Sequence, residues 1–108
     1  MHFSDYERDA LATAVYPMRG QNVIYPTLGL VGEAGEIANK LKKIIRSGQI
    51  LTPENIQPLL HEIGDVLWYT VALANELGYT LEDAARMNIE KLQSRLKRGT
   101  IDGNGDDR

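Results

Sequence analysis

Two pairs of acids carry the chemistry legible in this chain: Glu33 with Glu36, and Glu62 with Asp65, each pair three residues apart. Both lie inside apolar stretches of helical period rather than in charged surface runs. Residues three apart are neighbours on a helix, so each pair directs two carboxylates to the same side. If the two helices pack together, four carboxylates converge, and their repulsion has to be relieved by protons or cations. Oxygen donors without thiolate or imidazole favour a hard divalent ion, Mg²⁺ first and Mn²⁺ as a substitute.

Helical geometry sharpens this reading. At about 100° per residue, Glu33, Glu36, Lys40 and Lys43 fall within an arc of about 80° bordering the apolar stripe of their helix. Glu62, Asp65, Tyr69 and Ala72 occupy an equally narrow arc on the next one. Further on, Asn88, Lys91, Arg95 and Arg98 share a third, polar and cationic, strip. Together these faces suit a cation and an anion. Each also has a plainer use: Glu36 and Lys40 form an ordinary i,i+4 pair, and cations near a helix C-terminus complement its dipole. Trp68 lies off the acidic strip and reads as a packing residue. His61 points about 100° away from Glu62, so the Glu-x-x-His pattern of di-iron bundles is absent and His61 reads as a surface or interface histidine. Neither a Ser-His-Asp or Cys-His nucleophile nor a GxxxxGK phosphate loop is present.

The elements that must position these groups read as helices. Ser4-Asp5-Tyr6-Glu7 has the form of a capping box, opening a first helix that fades near Pro17. A second runs from about Pro26 to Ser47, with Gly48 just past its end. Thr52-Pro53-Glu54 resembles a cap with a first-turn proline, and Pro58 is expected to start the main third helix, which Gly78 ends. Thr80 to Asp83 forms another capping box, and the fourth helix runs to about Lys97. Residues 1–99 are expected to form one domain and 100–108 a polar tail. Gly29, Gly32, Gly35 and Gly64 each cost about 1 kcal/mol in a helix interior, and close approach of the helices around the carboxylates is the reason expected for them.

Composition agrees. A chain of 108 residues with 43% hydrophobic and 6% aromatic content holds one modest core, and its Leu, Ile, Ala, Glu and Lys favour an all-α fold. With no cysteine there are no disulfides or thiolate metal sites, which fits the cytoplasm. No stretch is long and apolar enough to span a membrane. A net charge of −3 gives no general attraction to nucleic acid polymers or anionic lipid.

The stretch from Gly29 to Glu36, GLVGEAGE, followed after 25 residues by Glu62 to Tyr69, EIGDVLWY, resembles the MazG-like nucleotide pyrophosphohydrolases and their E-x-x-E, spacer, E-x-x-D pattern. The similarity extends through Asn88-x-x-Lys91-Leu92-x-x-Arg95. It implies an all-α, four-helix bundle completed by oligomerisation as a homodimer or tetramer, with sites near subunit interfaces. It also implies Mg²⁺-dependent cleavage of a (deoxy)nucleoside triphosphate to the monophosphate and pyrophosphate. Glu33, Glu36, Glu62 and Asp65 would be the metal ligands by this resemblance; Glu36, which could both hold metal and accept a proton from water, is the expected general base. Lys40, Lys43, Lys91 and Arg95 would contact phosphates, and Tyr69 and Asn88 the sugar or base. A reading of another class is a non-catalytic helical homo-oligomer serving as a regulatory or interaction module; nucleotide turnover separates the two.

Overall fold

Threonines open two of the four helices by the same device. Thr52 Oγ1 accepts from the Asn55 amide at 3.2 Å while Asn55 Oδ1 accepts from the Thr52 amide at 2.8 Å. Thr80 and Asp83 make the equivalent pair, at 3.0 Å in both directions. The computed structural model describes residues 1–108 as α1 (Phe3–Leu11), α2 (Ile24–Arg46), α3 (Pro53–Glu76) and α4 (Leu81–Arg98), with no strand. The fold is therefore all-α, as composition and period imply. None of the helices is long and apolar enough to cross a membrane.

Three boundaries differ from expectation. The cap of α1 is His2, two residues before the expected Ser4, because Asp5 reaches back to the His2 amide at 2.9 Å. Glu7, the expected partner of Ser4, instead accepts from the Leu81 amide at 3.2 Å. α1 also stops at Leu11, well short of Pro17, where the Thr13 hydroxyl and the Trp68 indole both donate to the Ala10 carbonyl. Pro58 does not begin α3 but lies within it. Its missing N–H removes one ladder bond, towards the Glu54 carbonyl, and the Thr52 cap sustains the preceding turn.

α2 and α3 pack as an antiparallel hairpin, with Gly29 against Tyr69 near one end and Lys40 against Glu62 further along. α1 and α4 both rest on α3 and on each other, and α4 makes no contact with α2. Trp68 joins two small cores, one of Ala10, Val71 and Leu81 and one of Ala14, Tyr16 and Ala72.

Only 9 of 108 residues are buried, so a single chain leaves much apolar surface open. Its 7824 Å² of accessible surface exceeds the roughly 6,000 Å² of a typical monomer of this mass. Its 16.7 Å radius of gyration exceeds the roughly 13 Å of a compact domain. The excess has a pattern. Leu30, Ile37 and Ile44 of α2 turn inward, whereas Val31 (66% exposed), Leu41 and Ile45 (69% exposed) form a second stripe facing outward. On α3, Leu60, Ile63 and Leu67 repeat this at i, i+3 and i+7. The apolar arc of each helix is wider than one partner helix can cover.

Candidate metal and phosphate site

α2 supplies Glu33 and α3 supplies Glu62 and Asp65, and the antiparallel hairpin brings carboxylate oxygens of all three within 4.8 Å of one another. Such proximity leaves a clear electrostatic mark. The Glu33 carboxyl is held above the ordinary glutamate range, first by its hydrogen bond to Glu62, then by partial burial and by the charges of Glu62, Asp65 and Glu36. Glu62 moves the opposite way, held low chiefly by the Lys40 ammonium 2.8 Å away and next by Glu33. Glu62 in turn raises Lys40. The crowding thus favours a proton on Glu33 more than on an isolated glutamate, while the Lys40 ammonium offsets the charge of Glu62.

Glu36, expected as the fourth member, stays outside the triple and is exposed, although its charge reaches both Glu33 and Lys40. Lys43 is also exposed and away from the carboxylates' ion pair. Tyr69, with Trp68, Glu33 and Asp65, lines a cavity of about 290 Å³. The Tyr69 ring meets Trp68 edge-on at 5.0 Å and Tyr25 at 6.4 Å. Burial foremost, then Tyr25, raises its hydroxyl, keeping it a neutral hydrogen-bond donor. That cavity is at the small end for a nucleotide pocket. A larger hollow of about 530 Å³ over the α2–α3 connection offers a single carboxylate, Glu54, and no comparable chemistry.

Gly29 explains the position of Tyr69. A Cβ on Gly29 would lie far inside van der Waals contact with three atoms of the Tyr69 ring, so the missing side chain is what lets this aromatic lie over α2. The same explanation fails for Gly32, Gly35 and Gly64, where a Cβ would meet open space. Close approach within the chain accounts for one of the four glycines.

The cationic strip on α4 is not brought to the acids within the chain. Asn88 and Lys91 line a separate groove with Ala84 and Met87, and Arg95 is covered by the C-terminal tail. Two roles went unread in the sequence. Trp68 is a cavity wall as well as core, its indole fixed by a 2.8 Å bond to Thr13 Oγ1. Glu76 gathers the loop after α1, accepting from the Tyr16 hydroxyl at 2.5 Å and from the Gly20 and Asn22 amides at 2.8 and 3.1 Å. Its signal was a lone carboxylate in the last turn of an apolar helix, where the dipole disfavours an anion and other partners must compensate.

Comparison with known proteins follows the same stretch of chain. The family described as the MazG nucleotide pyrophosphohydrolase domain matches residues 22–100, which span both acid pairs and the α4 strip. The chain is 48% identical over 114 residues to the Gene 37 protein of Mycobacterium phage L5, with 100% of each chain covered. No solved structure matches it.

Proposed function

Because the chain belongs to the MazG nucleotide pyrophosphohydrolase family, we propose that it hydrolyses a (deoxy)nucleoside triphosphate to the monophosphate and pyrophosphate, in the control or cleansing of a cytoplasmic nucleotide pool. The observation that carries this reading is the carboxylate triple Glu33, Glu62 and Asp65 at the edge of a cavity walled by Trp68 and Tyr69. The donor set fits a hard divalent cation: three oxygens from two helices, no sulfur or imidazole, and an internal repulsion that a cation would relieve. Mg²⁺, or Mn²⁺ in its place, would supply neutralisation of phosphate charge and a water of lowered pKa.

The chain's own residues divide the remaining work. Glu36, exposed beside the triple, can complete the ligand set or accept a proton from the attacking water. Lys40, already at the cluster, and Lys43, on the same strip, stabilise negative charge on the departing pyrophosphate. The Tyr69 hydroxyl donates to the sugar or base, and the aromatic walls exclude water beside the acids.

Self-association completes the site in this reading. The outward stripes on α2 and α3 and the excess surface support a homodimer or dimer of dimers. Asn88, Lys91 and Arg95, remote from their own acids, then meet phosphate at the joint between copies. The test is hydrolysis of a panel of canonical and modified nucleoside triphosphates with Mg²⁺ and with Mn²⁺, resolving phosphate from pyrophosphate, beside Glu36→Gln. Monophosphate and pyrophosphate from the unaltered protein alone support the reading; no turnover with either ion returns the chain to the class of non-catalytic helical modules.

A further inference from the structure

The segment after α4 turns back along its own helix. Asp106 places one carboxylate oxygen 3.3 Å from Lys91 Nζ and 3.3 Å from Arg95 Nη2. The same Arg95 nitrogen also donates to the main-chain oxygens of Asp106 at 3.1 Å and Gly105 at 3.4 Å. Arg108 shapes the loop from within, donating to the Thr100, Gly105 and Ile101 carbonyls, while Arg98 donates to the Arg108 main-chain oxygen at 2.7 Å. Under this strap the Arg95 side chain is only 4% exposed, and its Nε has no hydrogen-bond partner.

We propose that Asp106 is a built-in stand-in for phosphate, occupying a seat formed by Lys91 and Arg95, and that a polyphosphate displaces the 100–108 strap when it binds there. The proposal rests on the reading of Lys91 and Arg95 as phosphate contacts. Three features support a temporary occupant. First, the charges do not balance: one carboxylate faces two cations, whereas a pyrophosphate carries enough negative charge for both. Second, the bonds are long. Charge-assisted N–H···O bonds run at about 2.7–2.9 Å, and none of the contacts to Asp106 is that short. Third, Asp106 is itself 87% exposed, so water competes for it, whereas the buried Arg95 Nε is a donor awaiting an acceptor. Asp106 is held below the ordinary aspartate range, first by Lys91 and then by Arg95, so it remains an anion while it sits there. The groove beside Lys91, lined also by Asn88, gives an entering ligand its approach.

The test uses the full chain with Asp106→Asn, inorganic pyrophosphate as the probe, and no divalent cation. Removing the competing charge should tighten pyrophosphate binding by about three- to tenfold, since the apparent Kd is the intrinsic Kd divided by the fraction of open sites. In the unaltered protein, saturating pyrophosphate should move the Gly103 and Gly105 amide resonances to those of a free tail. Lys91→Ala should weaken the binding. Unchanged or weaker binding in Asp106→Asn, an undisturbed tail, or full affinity in Lys91→Ala each overturns the proposal. Nucleotide turnover is scored separately: KM should fall in Asp106→Asn with kcat unchanged. Tighter pyrophosphate binding without any turnover would leave the strap in place and reject only the enzymatic reading.

Discussion

Lys40 Nζ lies 2.8 Å from Glu62 Oε1, so the ammonium that steadies the carboxylate of α3 comes from the helix that carries Glu33. The two helices are joined at the site by opposite charges as well as by packing. Replacing Lys40 with Met should leave the fold intact but lower kcat/KM by about ten- to a hundredfold, the usual scale for a group that orients a ligand. Glu62→Gln should cost a hundredfold or more, on the order seen when a principal electrostatic group is lost. Steady-state kinetics on both variants checks the order, and equal activities would count against it.

Protons and divalent cations should compete at Glu33. Because its folded-state value is raised, its contribution to stability is present below the unfolded value and is lost as pH rises through the folded one. A bound cation removes that loss. The rise in Tm produced by Mg²⁺ or Mn²⁺ should therefore be larger at pH 8 than at pH 5, and an equal rise at both would contradict the cluster's role.

Gly29→Ala should be costly where Gly35→Ala is not. The first forces the Tyr69 ring from its place and should destabilise by about 1–3 kcal/mol, as overpacking does, with loss of turnover. The second meets open space within the chain and gains up to about 1 kcal/mol of helix propensity. Thermal unfolding of the two single variants separates them.

Alkaline stability should carry the imprint of Tyr16. Its hydroxyl is pushed up to about 12, by burial first and by its bond to Glu76 second. Its contribution is full below the ordinary tyrosine value of 10.0 and is lost as pH rises towards about 12. Tyr6 and Tyr69 are raised as well, so Tyr16→Phe should make the decline between these limits shallower without abolishing it. Chemical unfolding at a series of alkaline pH values provides the measurement.

Val31→Glu places a charge in the outward stripe of α2 without touching the inner face. Sedimentation should show the unaltered protein as a dimer or larger and the variant shifted towards monomer, with reduced turnover if neighbouring copies complete the site. A monomeric, fully active unaltered protein would remove the oligomer from the reading.

Helix identity, the two threonine caps and the grouping of each acid pair on one helix face were legible because they depend on neighbours three or four residues away. Long-range competition was not. Glu7 looked like the partner of Ser4 but serves Leu81, 74 residues distant. Gly29 and Gly35 look alike in sequence, and only the position of Tyr69 tells them apart. Glu36 shares an arc with Glu33 yet lies outside the triple, since an arc fixes direction around an axis but not how far a side chain must reach. Lys91 and Arg95 share a face as expected, but the sequence could not show that Asp106 would already be there.

The attachments of α1 and of the segment after it bear on the order in which the chain assembles. Trp68 to Thr13, Tyr16 to Glu76 and Glu7 to Leu81 span 55, 60 and 74 residues, whereas α2 and α3 are consecutive and meet through a short turn. Closing a long loop costs more entropy than closing a short one, so the hairpin is favoured to form first and the N-terminal arm to dock afterwards. The acids would then converge before the aromatic wall is braced behind them. Since Trp68 is the sole tryptophan and its indole is fastened to that arm, its fluorescence should follow the docking step and lag behind the gain of helix.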